Sequence, residues 1–172
     1  KNYIPVGLPT ENDFIIKEKE INISDEKNVL VENQWISVDP YMRARMTEKK
    51  NYKDPFVIGE PMEGAAIGIV KKTNSIKFNV GDIVLSNCGW RDKFTESEKN
   101  IKKITNSNFP LHLFLGPLGM NGHTAYVGLF KIGKLQKNQT VLVSSAGGSV
   151  GSLVCQIAKL NGCKVVASTG SD

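Results

Sequence analysis

Two rhythms of apolar and polar residues divide the chain. From Lys27 to Asp39 (KNVLVENQWISVD), apolar positions alternate at Val29 and Val31 and then give way to a β-branched and aromatic stretch at Trp35, Ile36 and Val38. A period of two puts successive side chains on opposite faces, so this segment is expected to form strand. Glu63 to Val70 (EGAAIGIV) is small and apolar. Its glycines predict a bent strand with a close backbone neighbour. Phe78 to Asp82 (FNVGD) reads as a turn before a short strand at Ile83–Leu85. Short strands between Gly, Pro and Asn turns predict a small barrel rather than βαβ units.

Near residue 116 the rhythm changes. Between Gly116 and Gly133, Ala125, Leu129 and Ile132 recur at helical spacing, with Val127 and Phe130 beside them. The spacing predicts a helix starting near His123 or Thr124 and stopping at Gly133. A strand (Thr140–Ser144), a glycine turn, a helix (Val150–Leu160) and a second strand (Lys164–Ser168) follow. The helix carries Val150, Val154, Ile157 and Ala158 on one face, and Asn161-Gly162 closes it. Such a β-α-β unit implies parallel strands. Parallel sheets are covered on both faces. The expectation is a small β domain over residues 1–115, then the opening of an α/β domain over 116–172 whose remainder would lie beyond Asp172.

Composition narrows the function classes. With 40% hydrophobic and 23% charged residues, the chain has the make-up of a soluble globular protein. The net charge of +5 comes from scattered residues such as Lys49-Lys50, Lys71-Lys72 and Lys102-Lys103. No basic stripe with interleaved aromatics appears, which argues against nucleic-acid binding. No apolar run approaches the roughly 20 residues of a membrane span, and no secretory leader opens the sequence. Cys88, Cys155 and Cys163 are odd in number and far apart. That argues against a disulfide framework and for a cytoplasmic location.

The chemistry concentrates after the first predicted strand of the second part. Ala146-Gly147-Gly148-Ser149-Val150-Gly151 fits A-x-G-x-x-G, a variant of the dinucleotide fingerprint. Ala146 permits the tight turn, Gly148 lets a pyrophosphate approach the backbone, and Gly151 lets helix lie close on strand. The N–H groups and positive dipole end at Ser149 and Val150 then face the anion. The expected context, strand before and helix after, is present. The second strand ends in neutral Ser168-Thr169-Gly170, where NAD sites usually carry an acid. Nothing at that tip repels a 2′-phosphate, so NADP(H) is expected over NAD. Asp172 is the nearby acid that would serve NAD, but it sits a few residues late.

Four stretches in order carry a resemblance: Ser37 to Arg43 (SVDPYMR), Gly59 to Gly64 (GEPMEG), Leu118 to Tyr126 (LGMNGHTAY) and Ser144 to Gly151 (SSAGGSVG). Together they resemble the medium-chain dehydrogenase/reductase superfamily, closest to its zinc-free branch of NADP-dependent alkenal double-bond reductases and prostaglandin reductases. The resemblance runs the length of the chain. It implies a GroES-like barrel domain followed by a Rossmann domain, in proteins about twice this length. It departs at Asn121-Gly122-His123, where Pro-Gly-Leu is commoner, and at Gly147 and Ser149, where Ala is commoner.

What the resemblance implies for sites is specific. Met120 and Thr124 match positions that touch the cofactor, and Tyr52 matches a tyrosine lining the substrate pocket. A catalytic tyrosine is expected beyond Asp172, so no residue here is assigned a catalytic role. The zinc-binding relatives' Cys and His-Glu positions are occupied by Asp39-Pro40-Tyr41 and by Gly59 to Glu63, and two histidines with three distant cysteines do not make a zinc set. His123 reads as a helix-start residue, and Glu60 and Glu63 as structural.

Without zinc, hydride transfer to the β-carbon of an enal or enone leaves an enolate that hydrogen-bond donors must stabilise. The full-length protein is therefore expected to be an NADPH-dependent reductase of enals or enones and a homodimer, with the fragment alone inactive. The alternatives are a quinone reductase of the same superfamily, or a non-catalytic nucleotide-binding protein if the chain is complete.

Overall fold

The computed structural model describes residues 4–5, 7–26, 28–49, 53–105 and 108–170. It divides into two compact units, Lys1–Asn108 and Phe109–Asp172.

The first unit is built on an antiparallel sheet. Its strands are β1 (Val29–Ile36), β2 (Ala66–Thr73), β3 (Ile83–Ser86), β4 (Lys93–Glu96) and β5 (Lys102–Lys103), in the order β4-β1-β2-β3-β5. The alternation at Val29 and Val31 drives both side chains to full burial. They pack with Val70, Phe78, Val84, Phe94 and Ile101 into one core, each apolar side chain contributing roughly 1.5–3 kcal/mol on burial.

Gly68 is the close approach that the glycine pattern implied. A Cβ there would meet the Glu32 carbonyl oxygen at 2.7 Å, and the β1–β2 register shifts between Asn33 and Trp35 on the facing strand. The strand expected to run to Asp39 stops at Ile36, and Val38 is 70% exposed. Strands β4 and β5 carry no usable alternation in sequence. Phe94 is the one apolar residue in Lys93–Glu96, yet it fills the core.

A second, methionine-rich cluster sits beside a short helix, α1 (Tyr41–Arg45), which starts at Pro40. Proline suits that position because its fixed φ is helical and its missing N–H is not needed. Met42, Met46, Phe56 and Met62 are buried together, with Phe14, Tyr41 and Trp90 packed against them. The Phe14 and Trp90 rings stack 5.8 Å apart.

The second unit has α2 (Met120–Tyr126) running into a π-helical segment Val127–Ile132, then β6 (Thr140–Val143), α3 (Ser149–Leu160) and β7 (Lys164–Ala167). Strands β6 and β7 are parallel, Thr140 pairing with Lys164 through to Val143 with Ala167. The strand–helix–strand order therefore stands as read from the sequence. α2 begins earlier than its apolar spacing indicates, at Met120, because its first turn buries no apolar side chain: Met120 is exposed and Asn121, Gly122 and His123 add no apolar position. The π-helical segment closes with Gly133 N–H donating to the Gly128 carbonyl at 2.8 Å. Its wider turn carries Ile132, expected on the buried face, out to 77% exposure.

Candidate functional site

The turn between β6 and α3 is the best-formed candidate. Val143 is the last residue of β6, and Gly148 is the N-cap of α3, with extended backbone. Between them the chain reverses through Ser145, which adopts φ +49. A non-glycine residue in the left-handed region costs of order 1 kcal/mol, and such residues gather at functional turns. The turn is held from three sides. Gly148 N–H donates to the Ser145 carbonyl, Ala146 N–H to the Ser168 carbonyl, and Ser168 N–H to the Val143 carbonyl, each at 2.9 Å. The end of β7 is thereby tied directly to the loop.

The sequence-predicted loop residues lie together at this turn. Ala146 is buried beneath the turn, while Gly148 and Ser149 face solvent and Val150 and Gly151 are half-buried. A Cβ on Gly151 would lie 2.9 Å from the Ala146 Cα and against the Ser145 carbonyl. Only glycine lets the first turn of α3 rest on the loop backbone. Gly148 has no side chain and provides no side-chain cap. The N–H groups of Ser149, Val150 and Gly151 belong to the first turn and have no intrahelical acceptor. With the positive end of the helix dipole, they make an anion cradle at an exposed loop.

Met120 and Thr124 lie one turn apart on α2, which packs against α3. Both are exposed, Met120 at 76%, and the Thr124 hydroxyl donates to the Met120 carbonyl at 2.8 Å. Tyr52 lies outside the described residues. Among the described residues, no three His, Cys, Asp or Glu side chains gather as a metal site would need.

The structure adds residues that spacing did not indicate. Thr169 places its Cγ2 3.7 Å from where a Gly147 Cβ would stand, so the strand end flanks the loop. In the first unit, Glu63 accepts an ion pair from Arg45 at 3.1 Å, in line with its structural reading. The only sequence signal for Arg45 was a charge three residues after Met42, on the helix face that turns inward.

The stretch Ser37 to Arg43 is tied into the first unit as well. Ser37 Oγ donates to Asp39 at 2.8 Å, Arg43 donates to the Gly7 carbonyl at 2.6 Å, and Met42 packs where Gly64 leaves room.

Comparison with known proteins shows the family to which the chain belongs. Residues 2–104 match the family model described as the N-terminal domain of oxidoreductase. The chain is 39% identical to the 2-alkenal reductase (NADP(+)-dependent) of Nicotiana tabacum, covering 99% of this chain and 51% of that protein. It is 40% identical to prostaglandin reductase 1 of Bos taurus, covering 97% and 50%. Among solved structures, CurA from Vibrio vulnificus in complex with NADPH superposes with a TM-score of 0.88 at 37% identity, over 99% of this chain and 51% of that one. The chain spans about half the length of the curated relatives it matches. It belongs to the family of N-terminal oxidoreductase domains, in the medium-chain dehydrogenase/reductase branch that holds the alkenal and prostaglandin reductases.

Proposed function

We propose that this chain is the N-terminal part of an NADPH-dependent reductase of the carbon–carbon double bond in α,β-unsaturated aldehydes and ketones. Residues 1–115 form its GroES-like substrate domain, and residues 116–172 open its Rossmann domain. The observation that carries the reading is the β6–α3 turn, in which Gly151 lets the helix start touch the loop and leaves uncapped N–H groups at an exposed mouth. That cradle fits a pyrophosphate. Ala146, Gly148, Ser149, Val150 and Gly151 would hold it, with Met120 and Thr124 contacting the same cofactor.

The neutral tip Ser168-Thr169-Gly170 supports NADP over NAD. When bound, NADPH would supply a hydride to the β-carbon of an enone. The residues of this chain bind and orient. The loop fixes the pyrophosphate through backbone donors that need no reorganisation, and Tyr52 contacts the substrate. A zinc-independent, cytoplasmic homodimer completes the reading.

The test is NADPH consumption by the full-length protein with but-2-enal, 4-hydroxynon-2-enal, a 15-oxoprostaglandin and benzoquinone. Turnover of the enals or enones ahead of the quinone is expected. Preference for benzoquinone would favour the quinone-reductase alternative, and NADPH binding without turnover of any acceptor would make the protein a nucleotide-binding one.

A further inference from the structure

The sequence holds two Asn-Gly pairs, Asn121-Gly122 and Asn161-Gly162. The second is exposed and ends helix α3. Gly162, at φ +75, turns the chain through the left-handed region that glycine adopts without strain. The Gly162 N–H donates to the Lys159 carbonyl at 3.0 Å, and the Cys163 N–H donates to the Ala158 carbonyl at 3.1 Å. Ala158 and Cys163, at the two ends of the second bond, are both buried. This is a Schellman cap. The Asn161 side chain adds a further bond, its Nδ2 donating to the Ile157 carbonyl one turn back at 2.8 Å.

Asparagine before glycine is chemically labile. The next backbone nitrogen attacks the side-chain carbonyl carbon, and glycine has no side chain to hinder the approach. At Asn161 the cap occupies both reacting groups. The Gly162 nitrogen is committed to Lys159, and the amide is tethered to Ile157. Both bonds break when the last turn of α3 frays, and helix ends open at low cost. Asn121 differs. It lies inside α2, its Gly122 N–H donates to the Gly116 carbonyl, and a Cβ on Gly122 would collide with the Pro117 carbonyl.

We propose that Asn161 is a site of spontaneous deamidation, gated by the opening of the α3 cap. In the opened state the Gly162 nitrogen gives up its proton and bonds to Asn161 Cγ. The Cγ–Nδ2 bond breaks, and Nδ2 leaves as ammonia. Water then opens the cyclic imide at either carbonyl, giving aspartate or isoaspartate with no oxidation or reduction. The product cannot rebuild the cap. The donor to Ile157 is gone, and a carboxylate stands at the negative end of the α3 dipole. The change bears on the sheet through Gly162, whose carbonyl accepts the Asn138 N–H at 3.2 Å just before β7 begins at Lys164.

The experiment incubates the full-length protein at neutral pH and physiological temperature, folded and unfolded in urea. Peptide mass mapping reads the amide-to-acid change, and isoaspartyl methyltransferase reads the isoaspartate. Asn161 is expected to convert in the folded protein about ten- to a hundredfold more slowly than in urea, because it reacts only from the opened helix end. Asn121 converts in urea but lags Asn161 in the folded protein. Asn161→Gln, which would have to close a larger ring, shows no conversion at this position. Asn161→Asp, the product itself, melts below Asn161→Ala, and added salt narrows that gap.

Equal rates with and without urea overturn the gating by the cap, as does conversion of Asn121 ahead of Asn161 in the folded protein. No conversion of folded Asn161 over about a hundred half-times of the urea reaction overturns the site, since a helix end opens more often than that. A midpoint for Asn161→Asp equal to that of the wild type overturns the damage to the cap. The rates are read on the unaltered chain, so they decide the proposal even where a variant fails to fold.

Discussion

At the scale of single residues, the three glycines of the loop differ in what an added methyl would meet. At Gly147 the nearest atom is the Thr169 methyl at 3.7 Å, an ordinary contact. At Gly148 it is the Ser145 carbonyl oxygen at 3.2 Å, a tight contact with backbone. At Gly151 it is backbone, with the Ser145 carbonyl carbon at 3.0 Å and the Ala146 Cα at 2.9 Å. Backbone cannot step aside without moving the helix start, so overpacking there costs about 1–3 kcal/mol. Titration calorimetry of the full-length protein with NADPH should therefore give a graded series. Gly147→Ala stays within about twofold of wild type, Gly148→Ala weakens binding further, and Gly151→Ala weakens it at least tenfold, about 1.4 kcal/mol. Unchanged NADPH binding in all three variants would mean that the loop does not hold the cofactor.

At the scale of elements, carboxylates staple the sheet across its strand order. Glu32 on β1 accepts from Lys71 on β2 and Lys93 on β4, at 2.7 and 3.2 Å. Asp82, just before β3, accepts from Lys103 on β5 at 2.6 Å, and Glu98 accepts from Lys77 and from the Ser75 hydroxyl. The hydrogen bond from Lys71, reinforced by Lys93, holds Glu32 below its ordinary pKa. The Asn79 N–H and then Lys103 do the same for Asp82, and Lys77 and then Ser75 for Glu98.

A depressed folded-state pKa means that the native state binds fewer protons than the unfolded chain. The stabilisation is therefore complete above about pH 4.5, the ordinary glutamate value, and is lost as pH falls through the lower folded values. Glu32→Gln lacks its share at every pH. Thermal midpoints of wild type and this variant should differ modestly at pH 7, because surface pairs are individually weak, and should converge on acidification. A constant gap from pH 7 to pH 3 would show that Glu32 acts by packing instead.

At the scale of the whole molecule, the two units differ in how fully each covers its own apolar residues. The first buries Val29, Val31, Val70 and Val84 completely inside its sheet. The second leaves Leu142 at 74%, Leu160 at 86% and Val166 at 44% exposure on the strands and helix of its β-α-β unit. Parallel sheets are stable when both faces are covered. Residues 1–108 expressed alone should unfold in one cooperative transition followed by circular dichroism. Residues 109–172 alone should melt without one and should bind a hydrophobic dye. A sharp transition in the second piece would show that its strands need no further cover.

The amino-acid sequence by itself determined what depends on local rules. Alternation at Val29 and Val31 forecast β1, and the run from Thr140 through Gly151 to Ala158 forecast a strand, a tight turn and a helix in parallel order, because period and turn chemistry are properties of neighbouring residues. Only the tertiary structure decided the rest. Lys93–Glu96 joins the sheet because β1 offers it a free edge. α2 starts at Met120, in a turn with no buried apolar face to reveal it. Arg45 is buried because Asp54, Phe56 and Glu63, all on the segment that follows it, converge on its guanidinium group. These outcomes depend on contacts that the periodic pattern of apolar and polar residues does not encode.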